Sequence, residues 1–285
     1  MTENSNLRIG LFDSGVGGLT VLREVYRQLP QESVLYFADS ARLPYGTRSP
    51  QEILQFVREI LDWMCGQGVK MIIMACNTSS ALALEIVRKE YDVTILGVIL
   101  SGAKAAVKTG NRIGVIATTA TAASNAYRLA IQEINPETQV WQVACPEFVH
   151  LIEQNQIYSV YTKQVAQRYL QPLLQEKIDT LVYGCTHYRH LDSTIRSLVG
   201  DHIKIVDPAE HIVVAAEKEL SLMGLRNDHF ALPTRFCVSG SPKYFAELSR
   251  QWLGYLPKVG KIYTERRSLS VMSEKRSILR RFAAE

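Results

Sequence analysis

No run of apolar residues in this chain is long enough to cross a bilayer, which excludes a helical membrane span. The opening residues, MTENSNLRIG, carry neither the basic nor the apolar block of a secretory leader, so a cytoplasmic location is expected. Cysteine is scarce and odd in number, five in 285 residues, and no two stand in a C-x-x-C pair. A disulfide framework and a paired-thiol metal centre are thereby set aside, and reduced thiols are expected. Nucleotide-cradling glycine patterns are missing as well. The loop DSGVGG at 13–18 fits neither G-x-G-x-x-G nor the lysine-bearing phosphate loop, and no lysine follows it.

Charge of one sign is also in short supply. Lys and Arg number 32 against 28 Asp and Glu, a net charge of +4. Residues 264–285 hold six Lys or Arg against three Glu, so +3 of that total lies in a basic C-terminal tail and the body is nearly neutral. No aromatics interleave with the basic residues there, and the tail is read as a solvated or loosely docked extension rather than a nucleic-acid or membrane arm.

What is present is a regular alternation. Short β-branched, apolar runs occur at 8–12, 34–38, 69–75, 93–98, 112–117, 140–144, 179–183 and 203–206, with helical patterns between them. In SPQEILQFVREILDWMCGQG, Ser49 is placed as N-cap, Pro50 as first helical residue and Glu52 as the closing member of a capping box. Buried strands alternating with helices of this length predict an α/β fold with parallel sheets covered on both faces. Two later runs, RFCVSG and KVGKIY, could complete either sheet.

The spacing repeats. RIGLFDS and RIGVIAT begin 104 residues apart, VLYFADS and VWQVACP 106, and the turns MACNTSS and YGCTHYR place Cys76 and Cys185 109 apart. Three features in one order at nearly one offset predict two similar parallel-sheet α/β domains. One is expected from 1–98 plus 208–263 and carries Cys76; the other spans 99–207 and carries Cys185.

In open α/β sheets, ligands bind outside the carboxyl ends of the strands. Polar residues gather at such ends here, in DSGVGG, ADSARLPYG (38–46), ACNTSS, ATTAT (117–121) and GCTHY (184–188). Helix N-termini at these places attract anions, so an anionic ligand is expected. They also stabilise thiolates, which predicts lowered pKa values for Cys76 and Cys185. Cys65 and Cys237 are read as small buried hydrophobes, and Cys145, before Pro146, as more structural than chemical. Two like thiols from two like halves suit inversion of a carbon bearing one acidic hydrogen. One thiol removes the proton from one face while the other delivers one to the opposite face, and the roles exchange in reverse.

The motifs DSGVGGLTV, YFADSARLPYG, ACNTSSA, IGVIATTAT and GCTHY, in that order over residues 7 to about 263, resemble those of the glutamate racemases in the aspartate/glutamate racemase superfamily. The resemblance implies a pseudo-twofold pair of domains with the active site in the cleft between them. It implies two-thiol proton exchange at Cα of glutamate without pyridoxal phosphate or metal, supplying D-glutamate for peptidoglycan. Carried over, Cys76 resembles the group that deprotonates D-glutamate and Cys185 the one that deprotonates L-glutamate. Asp13, Ser14, Tyr45, Gly46, Asn77, Thr78, Thr186 and His187 match substrate-binding positions, and Thr118 and Thr121 lie where further carboxylate contacts are expected. Asp13, Glu153 and His187 resemble groups that orient or polarise the thiols. The residues themselves agree for Asp13 and His187 but are silent on Glu153 in PEFVHLIEQ, since a glutamate on a helix face is usually just solvated.

Arg189 and His190 depart from the usual Pro after GCTHY, and Leu100-Ser101-Gly102 departs from the usual element after LGVI. The implied partner is glutamate as a small molecule, with no nucleic acid, no membrane and a homodimer as a possible assembly. Alternatives are an aspartate or hydantoin racemase of the same superfamily, or a non-catalytic binding protein of the same fold. A zinc site on Cys185 and His187 would have two ligands one residue apart and no others nearby, so no metal is expected.

Overall fold

The computed structural model describes residues 3–262, and the basic tail at 264–285 lies outside the described residues. The first strands are β1 (Arg8–Asp13), β2 (Val34–Ala38), β3 (Val69–Met74), β4 (Thr94–Gly97) and β5 (Arg112–Ala117). They are followed by β6 (Gln139–Ala144), β7 (Thr180–Gly184), β8 (Lys204–Val206), β9 (Arg235–Val238) and β10 (Val259–Lys261). Helices α1 (Leu19–Gln28), α2 (Pro50–Gly66), α3 (Asn77–Val87), α4 (Val98–Thr109), α5 (Thr119–Ala123) and α6 (Ala126–Ile134) occupy the first part of the chain. Helices α7 (Pro146–Glu153), α8 (Val160–Gln175), α9 (Asp192–Val199), α10 (Pro208–Leu222) and α11 (Pro242–Leu253) follow. None of the described helices is long and apolar enough to cross a membrane.

The strands form two parallel sheets. One has the order β10-β9-β2-β1-β3-β4 and the other β6-β5-β7-β8. Four consecutive strands of the first, β2-β1-β3-β4, repeat the order of the second, and the repeated sequence features fall on β1 and β5, β2 and β6, and β3 and β7. The two late runs, left unassigned by sequence, both extend the first sheet: β9 pairs with β2, and β10 with β9.

Alternation of side chains across the pleat explains why these strands are apolar throughout. In β1, Ile9 and Leu11 pack under α1 and α10, whereas Phe12 faces the opposite layer with residues of α2 and α3. In the second sheet, Leu181 and Tyr183 face α7, α8 and α9, while Val182 faces α4 and α6. The α2 start is as expected: the Ser49 hydroxyl accepts from the Glu52 N–H at 3.2 Å, and Glu52 accepts from the Ser49 N–H at 2.9 Å. After β8, Asp207 caps α10 by accepting from the Ala209 N–H at 3.0 Å. That helix carries Ala209, Ile212, Val213 and Ala216 back into the first sheet's core.

Register positions the site. Asp13 pairs with Ala38, and Phe12 with Met74, so the loops after β1, β2 and β3 leave the sheet side by side. In the second sheet Ala117 pairs with both Ala144 and Gly184, which levels the loops after β5, β6 and β7 in the same way.

Candidate active site

The two sets of loops face one pocket. From the first sheet come Ser14, Tyr45, Gly46, Cys76, Asn77 and Thr78; from the second come Thr118, Cys185, Thr186 and His187. Pro44, Thr47, Thr119, Cys145, Pro146 and Val149 also line it. Cys145 was expected to be structural, yet it is a third thiol on the pocket wall. The legible signal was its place at the end of β6, the counterpart of β2, whose following loop also reaches the pocket. Asp13 and Thr121, expected to touch substrate, stand behind the wall, each fully buried.

Cys76 is the N-cap of α3 and is almost wholly buried. The expected lowering of its pKa is reversed: burial pushes the thiol up to about 12, and the neighbouring Asp13 adds to the rise, while the Ser79 hydroxyl and N–H oppose it. A helix N-terminus favours an anion by at most about 2 kcal/mol, and desolvation of a buried charge outweighs that.

Cys185 heads a 3-10 turn, Thr186–Leu191, rather than an α-helix, and α9 follows only afterwards. That tight turn brings His187 back beside its own thiol, with Nδ1 3.9 Å from Cys185 Sγ. The other ring nitrogen, Nε2, lies 2.8 Å from Glu153 Oε1. Glu153 is therefore not a solvated helix residue. It closes α7 with its side chain turned inward and only 15% exposed. Burial by itself would lower the His187 pKa, but hydrogen bonds to Cys185 and Glu153 carry it well above the usual histidine value.

Asp13 joins the halves. Its Oδ1 accepts from the Thr186 hydroxyl at 3.2 Å and its Oδ2 from the Gly15 N–H at 3.0 Å. Burial raises its pKa against the pull of His187 and these donors. Across the pocket, Thr78 Oγ1 lies 2.9 Å from Thr118 Oγ1 and 3.1 Å from Thr121 Oγ1, a hydroxyl cluster linking α3 to the loop after β5. The Asn77 Oδ1 accepts from the buried Tyr127 hydroxyl at 2.6 Å, which leaves its amide NH2 as the free polar end. The Tyr45 hydroxyl donates to Asp39, whose carboxylate also accepts from Arg42 at 2.6 Å and Ser239 at 2.7 Å.

Two glycines permit the loops to meet. A Cβ on Gly17 would lie 2.4 Å from Thr186 Oγ1, and one on Gly46 would lie 2.6 Å from Thr118 Cβ. Of the sequence departures, Arg189 reaches Asp207 at 3.8 Å, and His190 stacks on Trp252 with ring centroids 3.6 Å apart. Leu100, Ser101 and Gly102 are ordinary turns of α4, where Gly102 admits Pro208.

Comparison with known proteins agrees with this geometry. Residues 9–216 match the Asp/Glu/Hydantoin racemase family. The chain is 68% identical over 265 residues to a glutamate racemase of Gloeothece citriformis, covering 93% of this chain and 95% of that one. Among solved structures, a glutamate racemase isoform from Bacillus anthracis is similar at a TM-score of 0.88 and 37% identity, over 90% of this chain and 98% of that one. The glutamate racemase of Francisella tularensis, solved in complex with D-glutamate, is similar at a TM-score of 0.85 and 33% identity, over 92% of this chain and 99% of that one.

Proposed function

The chain belongs to the Asp/Glu/hydantoin racemase family, and from that premise we propose that it interconverts L- and D-glutamate by proton exchange between two thiols. The observation that carries this reading is that Cys76 and Cys185, from equivalent strand ends of two like sheets, line one pocket.

In the D-to-L direction the Cys76 thiolate takes the Cα proton. An S–H bond forms as the Cα–H bond breaks, and the electron pair spreads into the adjacent carboxylate. Cys185 then donates its own proton to the opposite face. The L-to-D direction exchanges the two roles. His187, held by Glu153, stands beside Cys185, and Asp13, bonded to Thr186, lies behind the wall near Cys76, so that these three groups orient or polarise the thiols. Ser14, Asn77, Thr78, Thr118 and Thr186, with backbone N–H groups of the loops, supply donors for two carboxylates. Among the described residues no lysine lines the pocket to form a Schiff base, and the reading uses no pyridoxal phosphate. Tyr45 and Gly46 stand on the pocket wall, and the reading takes glutamate in preference to aspartate because a cleft fitted to the longer acid leaves the shorter one's second carboxylate short of its donors. The product serves as D-glutamate for bacterial peptidoglycan, in the cytoplasm. Relatives of this similarity that bear the name glutamate racemase support the choice of substrate.

Incubation of the purified protein with L-glutamate in deuterated water, with no added cofactor, tests the reading. Loss of optical activity with one deuterium entering at Cα is expected. Retention of the Cα hydrogen, or equal turnover of aspartate, would refute it.

A further inference from the structure

The first turn of α3 contains four polar side chains, and three of them have partners. Asn77 is bonded by Tyr127, Thr78 by Thr118 and Thr121, and the Ser80 hydroxyl donates to the Met74 carbonyl at 3.0 Å. Ser79 is different. Its side chain is fully buried and its hydroxyl makes no hydrogen bond. A buried hydroxyl without a partner costs roughly 1–3 kcal/mol, so its persistence calls for a partner at some stage of the protein's work.

Helix geometry says which partner. Cys76 is the N-cap and Ser79 stands three residues on, the position whose N–H faces the N-cap side chain. In a capping box the side chain at that third position also reaches back toward the cap. Here the cap is a thiol, and both the N–H and the hydroxyl of Ser79 act on it, each favouring its charged form. The other groups acting on Cys76 are Asp13 and Cys185, which both disfavour that form, and the buried Tyr36 and Tyr45 hydroxyls also sense its charge. Ser79 is thus the one side chain among these that stabilises the thiolate.

We propose that the Ser79 hydroxyl is a thiolate-stabilising donor, free in the resting protein and hydrogen-bonded to Cys76 Sγ when that sulfur is deprotonated. The two thiols are then served by different devices: His187 and Glu153 at Cys185, and a single serine hydroxyl at Cys76. The inference rests on the two-thiol reading above.

Ser79→Ala tests it, because alanine suits a helix and removes an unpartnered hydroxyl. Melting temperature should stay level or rise. Racemisation should lose about tenfold to hundredfold in kcat/KM, the range of a hydrogen bond to a charged group. The loss should be equal for both enantiomers, whose free energies are equal. In the ligand-free protein, iodoacetamide labelling of Cys76 at pH 8, followed by peptide mass spectrometry, should slow by about three- to tenfold. The slowing is smaller than the kcat/KM loss because the more basic thiolate that remains is the better nucleophile. Labelling of Cys185 should be unchanged. Unaltered kcat/KM with unaltered Cys76 labelling overturns the proposal. So does a rate loss that comes with a lower melting temperature and equal slowing at both thiols, which is a structural effect. If the parent protein proves inactive on glutamate, the two-thiol reading fails, and the labelling rates still decide the role of Ser79.

Discussion

His187 Nε2 lies 2.8 Å from Glu153 Oε1, a contact between residues 34 apart that turns a helix-end glutamate into part of a thiol's surroundings. Because the opposite nitrogen of the ring faces Cys185, the glutamate acts on the sulfur only through the imidazole. Holding one end of the ring orients it and favours its protonated form.

Glu153→Gln keeps the shape of that contact and removes its charge. The expected result is a kcat lower by roughly 10–100-fold, the worth of a charge-assisted hydrogen bond, with KM little changed. Steady-state kinetics with both enantiomers check it. A rise in KM alone would mean that Glu153 serves binding instead.

Removal of either thiol should abolish turnover. Cys76→Ala and Cys185→Ala are each expected to racemise at no measurable rate while still binding glutamate in a calorimetric titration. The serine variants should show traces at most, since a hydroxyl is a far weaker acid than a thiol. Appreciable turnover by either alanine variant sinks the two-thiol mechanism.

Gly46→Ala should open the pocket rather than disable its chemistry. The new methyl would lie 2.6 Å from Thr118 Cβ, closer than any packed pair tolerates, so the Tyr45–Thr47 segment must shift. A cost of about 1–3 kcal/mol in stability is expected, as for overpacked sites. KM should rise more than kcat falls. Kinetics and a thermal melt on one preparation separate the two effects.

Stability should fall in alkali through Cys76. Its folded pKa of about 12 stands above the ordinary thiol value of 9.0. Above pH 9 the unfolded chain releases this proton and the folded chain keeps it, so the unfolded state binds fewer protons and gains as pH rises. The stabilisation is present in full below about pH 9 and is lost progressively toward pH 12, about 4 kcal/mol at the limit. Urea unfolding at pH 8, 9 and 10 should show a shallower decline for Cys76→Ala than for the parent. Parallel declines would contradict the assignment.

Lys70 supports the first sheet from beneath. Its ammonium lies 2.6 Å from Glu32 Oε2 and donates to the carbonyls of Ser5 at 2.6 Å and Leu225 at 2.8 Å, with both charged side chains buried. Lys70→Ala leaves the buried Glu32 carboxylate, which also accepts from the Asn227 N–H at 2.9 Å, without its counter-charge and should cost about 3–5 kcal/mol in chemical denaturation. Glu32→Gln with Lys70→Met, which removes both charges, should recover much of that loss.

Strand identity, the capping box at Ser49 and Glu52, the duplicated halves and the two thiols at strand ends were all determined by the sequence. Each rests on a local pattern: short continuous apolar runs, side chains that cap their own helix, or turns repeated at nearly one offset. Tertiary structure decided the rest, because it depends on neighbours far along the chain. Which sheet receives β9 and β10 follows from how α10 packs against α1. Glu153 becomes a partner of His187 only because the α7 end lies beside the turn after β7. Cys145 reaches the pocket because β6 stands level with β5. Most of all, the shift of the Cys76 thiol was invisible in ACNTSS. The helix N-terminus that lowers a thiol pKa is local, whereas the burial and the Asp13 carboxyl that raise it come from the packing of two sheets and from a loop 63 residues away.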